Sequence, residues 1–185
     1  MSTDPIAARS RPGWFSRLVG GARKRDRMLP LYRAIVAAAR DPLWYREGQV
    51  PDTVTGRFDM LAAVTALLLV RMERLEGAEA KRDSVLLTEL FIADMDESLL
   101  EIGVGDYSVG KHVGRMVGAL GGRLTAFREA STEHDFSPAV HRNIFHEAPP
   151  GDDALALVTA RLAAFDKALA GLSHSALVEG RLPTP

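Results

Sequence analysis

The sequence predicts an all-α fold, a single-domain helical bundle of about six to seven helices. Three observations carry that expectation. Apolar residues recur at three- and four-residue intervals through most of the chain, the period of a helix with one buried face. No run of β-branched residues alternates with polar ones, so no strands are expected. Several of the periodic stretches are punctuated by glycine or proline, at Pro30, Pro42, Gly77, Gly103 and residues 149–151, where such residues can start and end helices. The chain has 185 residues, a length that fits one domain.

The helices follow in order. Pro30 can occupy a first helical position, where its missing N–H costs nothing. The stretch from Leu31 to Arg40 continues from it, with Leu31, Ile35 and Ala38 on one face, until Asp41 and Pro42 break it. Leu43, Trp44 and Tyr45 read as a short aromatic turn, and Gly48 to Asp52 as loop. A long helix is expected from about Val54 to Leu75, stopped by Gly77. Its middle is apolar almost all round, which marks it as the central, most buried element. Its apolar run from Met60 to Val70 is too short to span a bilayer. Further helices are expected from about Asp83 to Glu101, from a Ser108 cap to about Glu129, and from Phe136 to Phe145. The last long helix carries Leu155, Val158, Leu162, Phe165, Leu169 and Leu172 as a bundle seam.

Charge divides the chain. Up to Leu29, seven basic residues stand against Asp4 and Asp26, about +5, which leaves about −6 for the rest of a chain of net charge −1. The reading is a basic, flexible arm over 1–29, a helical domain over 30–178 and a short tail over 179–185. Trp14, Phe15, Arg23, Lys24 and Arg25 are the arm's candidates for contact with anionic membrane or ribosomal RNA. Specific DNA binding is not expected. The arm lacks the apolar core of a secretory signal. The expected location is the bacterial cytoplasm, peripheral at the inner membrane, with the matrix side of the mitochondrial inner membrane as the alternative.

The chain has no cysteine, which excludes disulfides, thiolate metal sites and thiol nucleophiles. Residues 105–111, GDYSVGK, spell most of a phosphate-binding loop, but a helix is expected ahead of them and His112 stands where Ser or Thr would bind magnesium. Gly114, Gly118 and Gly122 lie four apart on one helical face, a spacing that suggests close packing against a neighbouring helix. Asp94 and Asp96 are two apart on a helix and do not face the same way, so they do not chelate as a unit. His141 and His146, five apart, are likewise off one face. An enzyme using Lys111, or the Asp94/Asp96 and His141/His146 clusters, is the alternative to a non-catalytic binding protein without cofactor. Asp94 lies beside an apolar stripe, where an unpaired charge is costly, so Arg57 is expected to pair with Asp94 or Asp96.

Several stretches read together carry a resemblance: YRAIV over 32–36, RDPLWY over 40–45, PDTVTGRFDM over 51–60 leading to LLLVRM over 67–72, and FIADMDESLLEIGVGD over 91–106 followed by VGK over 109–111. In this order they resemble the ubiquinol–cytochrome c chaperone family, from about Leu31 to at least Phe127 and loosely on through Arg142 and Asn143. The resemblance implies an all-helical fold with no catalytic activity, acting in assembly of the cytochrome bc1 complex, with cytochrome b or another subunit of that complex as client. Mitochondrial relatives act with a partner subunit near the ribosome, and the Ala-, Arg- and Gly-rich composition here looks like a bacterial member. Seven charged residues of the shared stretches, Asp52, Arg57, Asp59, Asp94, Asp96, Asp106 and Lys111, are the candidate partner-binding set.

Overall fold

A computed structural model describes residues 26–101 and 109–185, and their side chains except those of 96–101, 109–113 and 115. Eight helical segments and no strand occur among the described residues. They are α1 (Leu29–Ala39), α2 (Pro42–Arg46), α3 (Val54–Glu73), α4 (Ala78–Glu101), α5 (Val109–Glu133), α6 (Ser137–Asn143), α7 (Asp152–Ala170) and α8 (His174–Val178). The predicted class holds, with more segments than foreseen because α2 and α8 are too short to show a period.

The order starts with a local device. Asp41 accepts the Leu43 N–H at 2.9 Å and so caps α2, with Pro42 as the first helical residue. This folds α2 back onto the end of α1. The buried Trp44 indole N–H donates to the Ala38 carbonyl at 2.8 Å, and the Tyr45 hydroxyl to the Ala39 carbonyl at 2.8 Å. Two carbonyls that α1 cannot satisfy itself are thereby taken up by the aromatic turn.

Thr53 caps α3 by accepting the Gly56 N–H at 3.1 Å. Every residue from Met60 to Val70 is buried, because α3 packs against α1, α4, α5 and α7. The core gathers Leu31 and Ile35 of α1, Leu67, Leu68 and Met72 of α3, Phe91 of α4, Phe127 of α5 and Phe165 of α7. The helix ends at Glu73, and Gly77 then holds φ +107° in the turn to α4. That conformation suits glycine. α4 starts at Ala78, earlier than its apolar pattern suggests.

The glycine row is the main departure. A Cβ built on Gly114, Gly118 or Gly122 meets nothing within 4 Å. These glycines are exposed and pack against no helix among the described residues. The reason lies in α5's own stripe: Leu120 and Phe127 are buried, Met116 and Leu124 pack on the core, and the glycines fall on the opposite side. The body also extends beyond the predicted limits. Met28 is fully buried ahead of α1, and Leu182 packs on the core after α8.

Candidate functional site

Three polar clusters and one groove stand out among the described residues. At the start of α3, the turn Pro51–Asp52 places a carboxylate beside the first helical turn, and Arg57 Nε donates to Asp52 Oδ1 at 2.6 Å. Both side chains are more than half exposed, at 61% and 57%. The hydrogen bond from Arg57 holds the Asp52 carboxyl below its usual range. Val54 sits between them, 68% exposed.

The pairing of Arg57 with Asp94 is therefore corrected, while the Asp96 side chain lies outside the described residues. Arg57 takes Asp52, five residues earlier on the same exposed turn, while Asp59, nearer along the chain, faces inward. Asp94 instead accepts the Tyr32 hydroxyl at 2.7 Å, a bond from α1 to α4. Burial, with the Asp94 hydrogen bond second, pushes the Tyr32 phenol up. The charge beside the apolar stripe does find a partner, but a phenol rather than a guanidinium.

The second cluster lies inside. The Asp59 side chain is 3% exposed and joins three elements. Arg123 of α5 donates to one carboxylate oxygen, and His146, in the connection after α6, lies 2.9 Å from the other. Arg123 also donates to the Asn143 carbonyl at 3.2 Å and lies over the Phe58 ring at 5.4 Å. Phe58 in turn packs on Phe91 at 6.1 Å between ring centres. Burial raises the Asp59 carboxyl, and Arg123 and His146 only partly offset it. Asp59, a candidate for partner contact, thus faces inward and ties α3 to α5 and to the connection after α6.

The third cluster joins the two ends of the described chain. Asp83 of α4, its side chain 3% exposed, receives Arg27 Nη2 at 2.8 Å and has His174 Nε2 at 3.0 Å. The same Arg27 reaches Glu79 through Nη1 at 3.2 Å. The groove lies elsewhere, between α3, α4 and α5. It holds about 120 Å³ and is lined by Leu69, Glu73, Ser84, Val85, Thr88 and Leu124. Val85, 57% exposed, stands at its edge.

His141 is exposed while His146 turns to Asp59, so the two histidines do not converge. Among the described residues no three His, Cys, Asp or Glu side chains are grouped to hold a metal. A helix, α4, precedes residues 105–111 where a phosphate-binding loop would need a strand. The Asp96 and Lys111 side chains lie outside what is described, as do Asp106, Trp14, Phe15, Arg23, Lys24 and Arg25.

Comparison with known proteins fits this helical body. The family described as ubiquinol-cytochrome C chaperone matches residues 46–184, well over half of the chain. The chain belongs to that family. Among solved structures, the crystal structure of the Cbp3 homolog from Brucella abortus is similar, with 30% sequence identity and a TM-score of 0.76. The match covers 92% of this chain and 94% of that one. Comparison with curated proteins found no match.

Within this chaperone fold, sequence reading named Asp52 and Arg57 as candidates but missed their pairing and the inward roles of Tyr32, Arg123 and His146. One signal was present for Arg123. It interrupts α5's apolar stripe between Leu120 and Phe127, where a buried cation needs a buried acid.

Proposed function

We propose that this chaperone-family chain assists the cytochrome b subunit during assembly of the ubiquinol–cytochrome c reductase (bc1) complex. The observation that carries the reading is the family match over 46–184. The surface supports a docking role. The Asp52–Arg57 pair and Val54 are exposed at one end of the bundle, and Val85 and Val117 leave apolar surface on α4 and α5. A rigid helical body can offer such a face to an apolar client segment. No helix among the described residues is long and apolar enough to cross a membrane. The basic arm is the proposed contact with the inner membrane or the ribosome, through Trp14, Phe15, Arg23, Lys24 and Arg25.

Deleting the gene tests the reading. Assembled bc1 complex and cytochrome b should fall, with other respiratory complexes nearly normal, and the wild-type gene should restore them. Normal bc1 levels in the deletion strain overturn it. Complementation with Arg57→Ala should give a protein that folds with an unchanged thermal midpoint, since the pair is solvent-exposed. If that surface meets the client, this variant captures less cytochrome b in pull-downs. Full capture assigns the pair to the solvated surface.

A further inference from the structure

The Asp83 cluster holds one more group than its carboxylate serves. Arg27 Nη2 and His174 Nε2 both lie against the same oxygen, Asp83 Oδ2, at 2.8 and 3.0 Å. Arg27 makes a hydrogen bond there. His174 does not: its Nε2 is buried, close to the oxygen but out of line, and has no hydrogen-bond partner. A buried ring nitrogen without a partner is uncommon and calls for a physical account. Here the account is charge, because the guanidinium already neutralises the carboxylate that the imidazole approaches.

The surroundings make the two partners unequal in freedom. The Arg27 side chain is 43% exposed, whereas that of His174 is 23% exposed on α8. α8 is held independently of Asp83: Leu177 is fully buried, Arg71 of α3 donates to the Leu172 carbonyl at 2.6 Å, and Gly180 sits close on the Pro30 carbonyl of α1. So Arg27 can swing out while His174 stays beside the acid. The ring faces Asp83 of α4, which also holds Arg27 from ahead of α1, and Glu79 of α4 meets Arg27. Arg33 of α1 is exposed, and Glu179 and Arg181 after α8 pair with each other at 2.8 Å.

We propose that Arg27 and His174 are alternative partners of Asp83, and that release of Arg27 is matched by uptake of one proton from solvent at His174. A carboxylate this buried is costly without a cation beside it. When the guanidinium leaves, the imidazole gains a proton and closes on Oδ2, and the net charge of the cluster is kept. Arg27 follows the basic stretch Arg23, Lys24 and Arg25 with only Asp26 between. A polyanionic surface that takes hold of Arg27 would therefore draw a proton onto His174, and acid would favour that release by the same factor.

The test is an NMR titration of the His174 ring in the full chain. Arg27→Gln should raise the ring's proton affinity about tenfold or more, one pH unit. Glu79→Gln, which removes the other partner of Arg27, should leave it near wild type. Adding Asp83→Asn to Arg27→Gln should abolish the rise. An unchanged His174 titration in folded Arg27→Gln overturns the proposal, as does a rise that survives Asp83→Asn. A second reading needs no variant of Arg27. In wild type, the Arg27 Nε–H signal should move and exchange faster in step with the His174 titration, and in His174→Gln that step should vanish. An Arg27 signal indifferent to the titration overturns the proposal equally.

Discussion

Asp59 and Arg123 show what a buried pair demands. The acid is nearly sealed from water, and so is the guanidinium that neutralises it. Removing only the acid leaves Arg123 buried and unpaired, so Asp59→Asn should cost about 3–5 kcal/mol, read from urea unfolding. Replacing both by apolar residues of similar volume removes the need for either charge. Asp59→Leu with Arg123→Met should therefore be less destabilised than Asp59→Asn, and a double variant worse than that single change would show the pair to be worth more than its desolvation. The pH dependence has a definite sign. The native carboxyl is raised by burial, so the native state holds this proton more tightly than the unfolded chain does. The stability it contributes is complete below the ordinary carboxylate value and declines as pH rises through the raised native one. Subtracting the profile of the double variant from wild type should isolate that decline. Sequence offered only the break that Arg123 makes in its apolar stripe; the partner was not legible, because 64 residues separate the two and no local pattern links them.

At the scale of elements, periodicity revealed the long helices but not the environment of every face. α3 reads as central because its apolar residues surround it, and the structure buries all of Met60 to Val70. α2 and α8, five residues each, are shorter than the window in which a period can be recognised. The glycines of α5 show the limit most clearly. Their spacing tells that they share a face, and only the neighbouring stripe of Leu120 and Phe127 tells that this face points away from the core. The consequence is measurable. Gly118 lies in a helix with open space around its Cβ position, so Gly118→Ala should stabilise the protein by about 0.4–1 kcal/mol through helix propensity and chain entropy. Gly56 is the opposite case, since a Cβ there would lie 2.0 Å from the Pro51 carbonyl oxygen. Gly56→Ala should lower the unfolding midpoint and disturb the Asp52–Arg57 turn with it. Equal responses at the two positions would contradict the faces assigned to them.

For the whole molecule, the two clusters around Asp59 and Asp83 have the same logic: one buried carboxylate, one arginine and one histidine from distant elements. Each joins parts of the chain that local helix formation cannot bring together. The Asp83 cluster sets where the folded body begins. The charge pattern suggested a boundary near residue 29, but Arg27 is bound to Asp83 and Met28 is fully buried. Composition marks where basic residues stop, whereas the boundary depends on which side chains find partners. Two truncations separate these readings. Removal of residues 1–25 takes away the basic stretch but spares Arg27 and Met28. Removal of 1–28 also empties the site of a buried methionine and leaves Asp83 without its guanidinium. Loss of a buried Met side chain alone costs about 2–5 kcal/mol. The longer truncation should therefore unfold at clearly lower urea than the shorter one, while both lose association with phosphatidylglycerol vesicles to a similar degree. Equal unfolding midpoints would move the start of the body to α1 itself. Vesicle binding retained by both would take the membrane contact away from the arm.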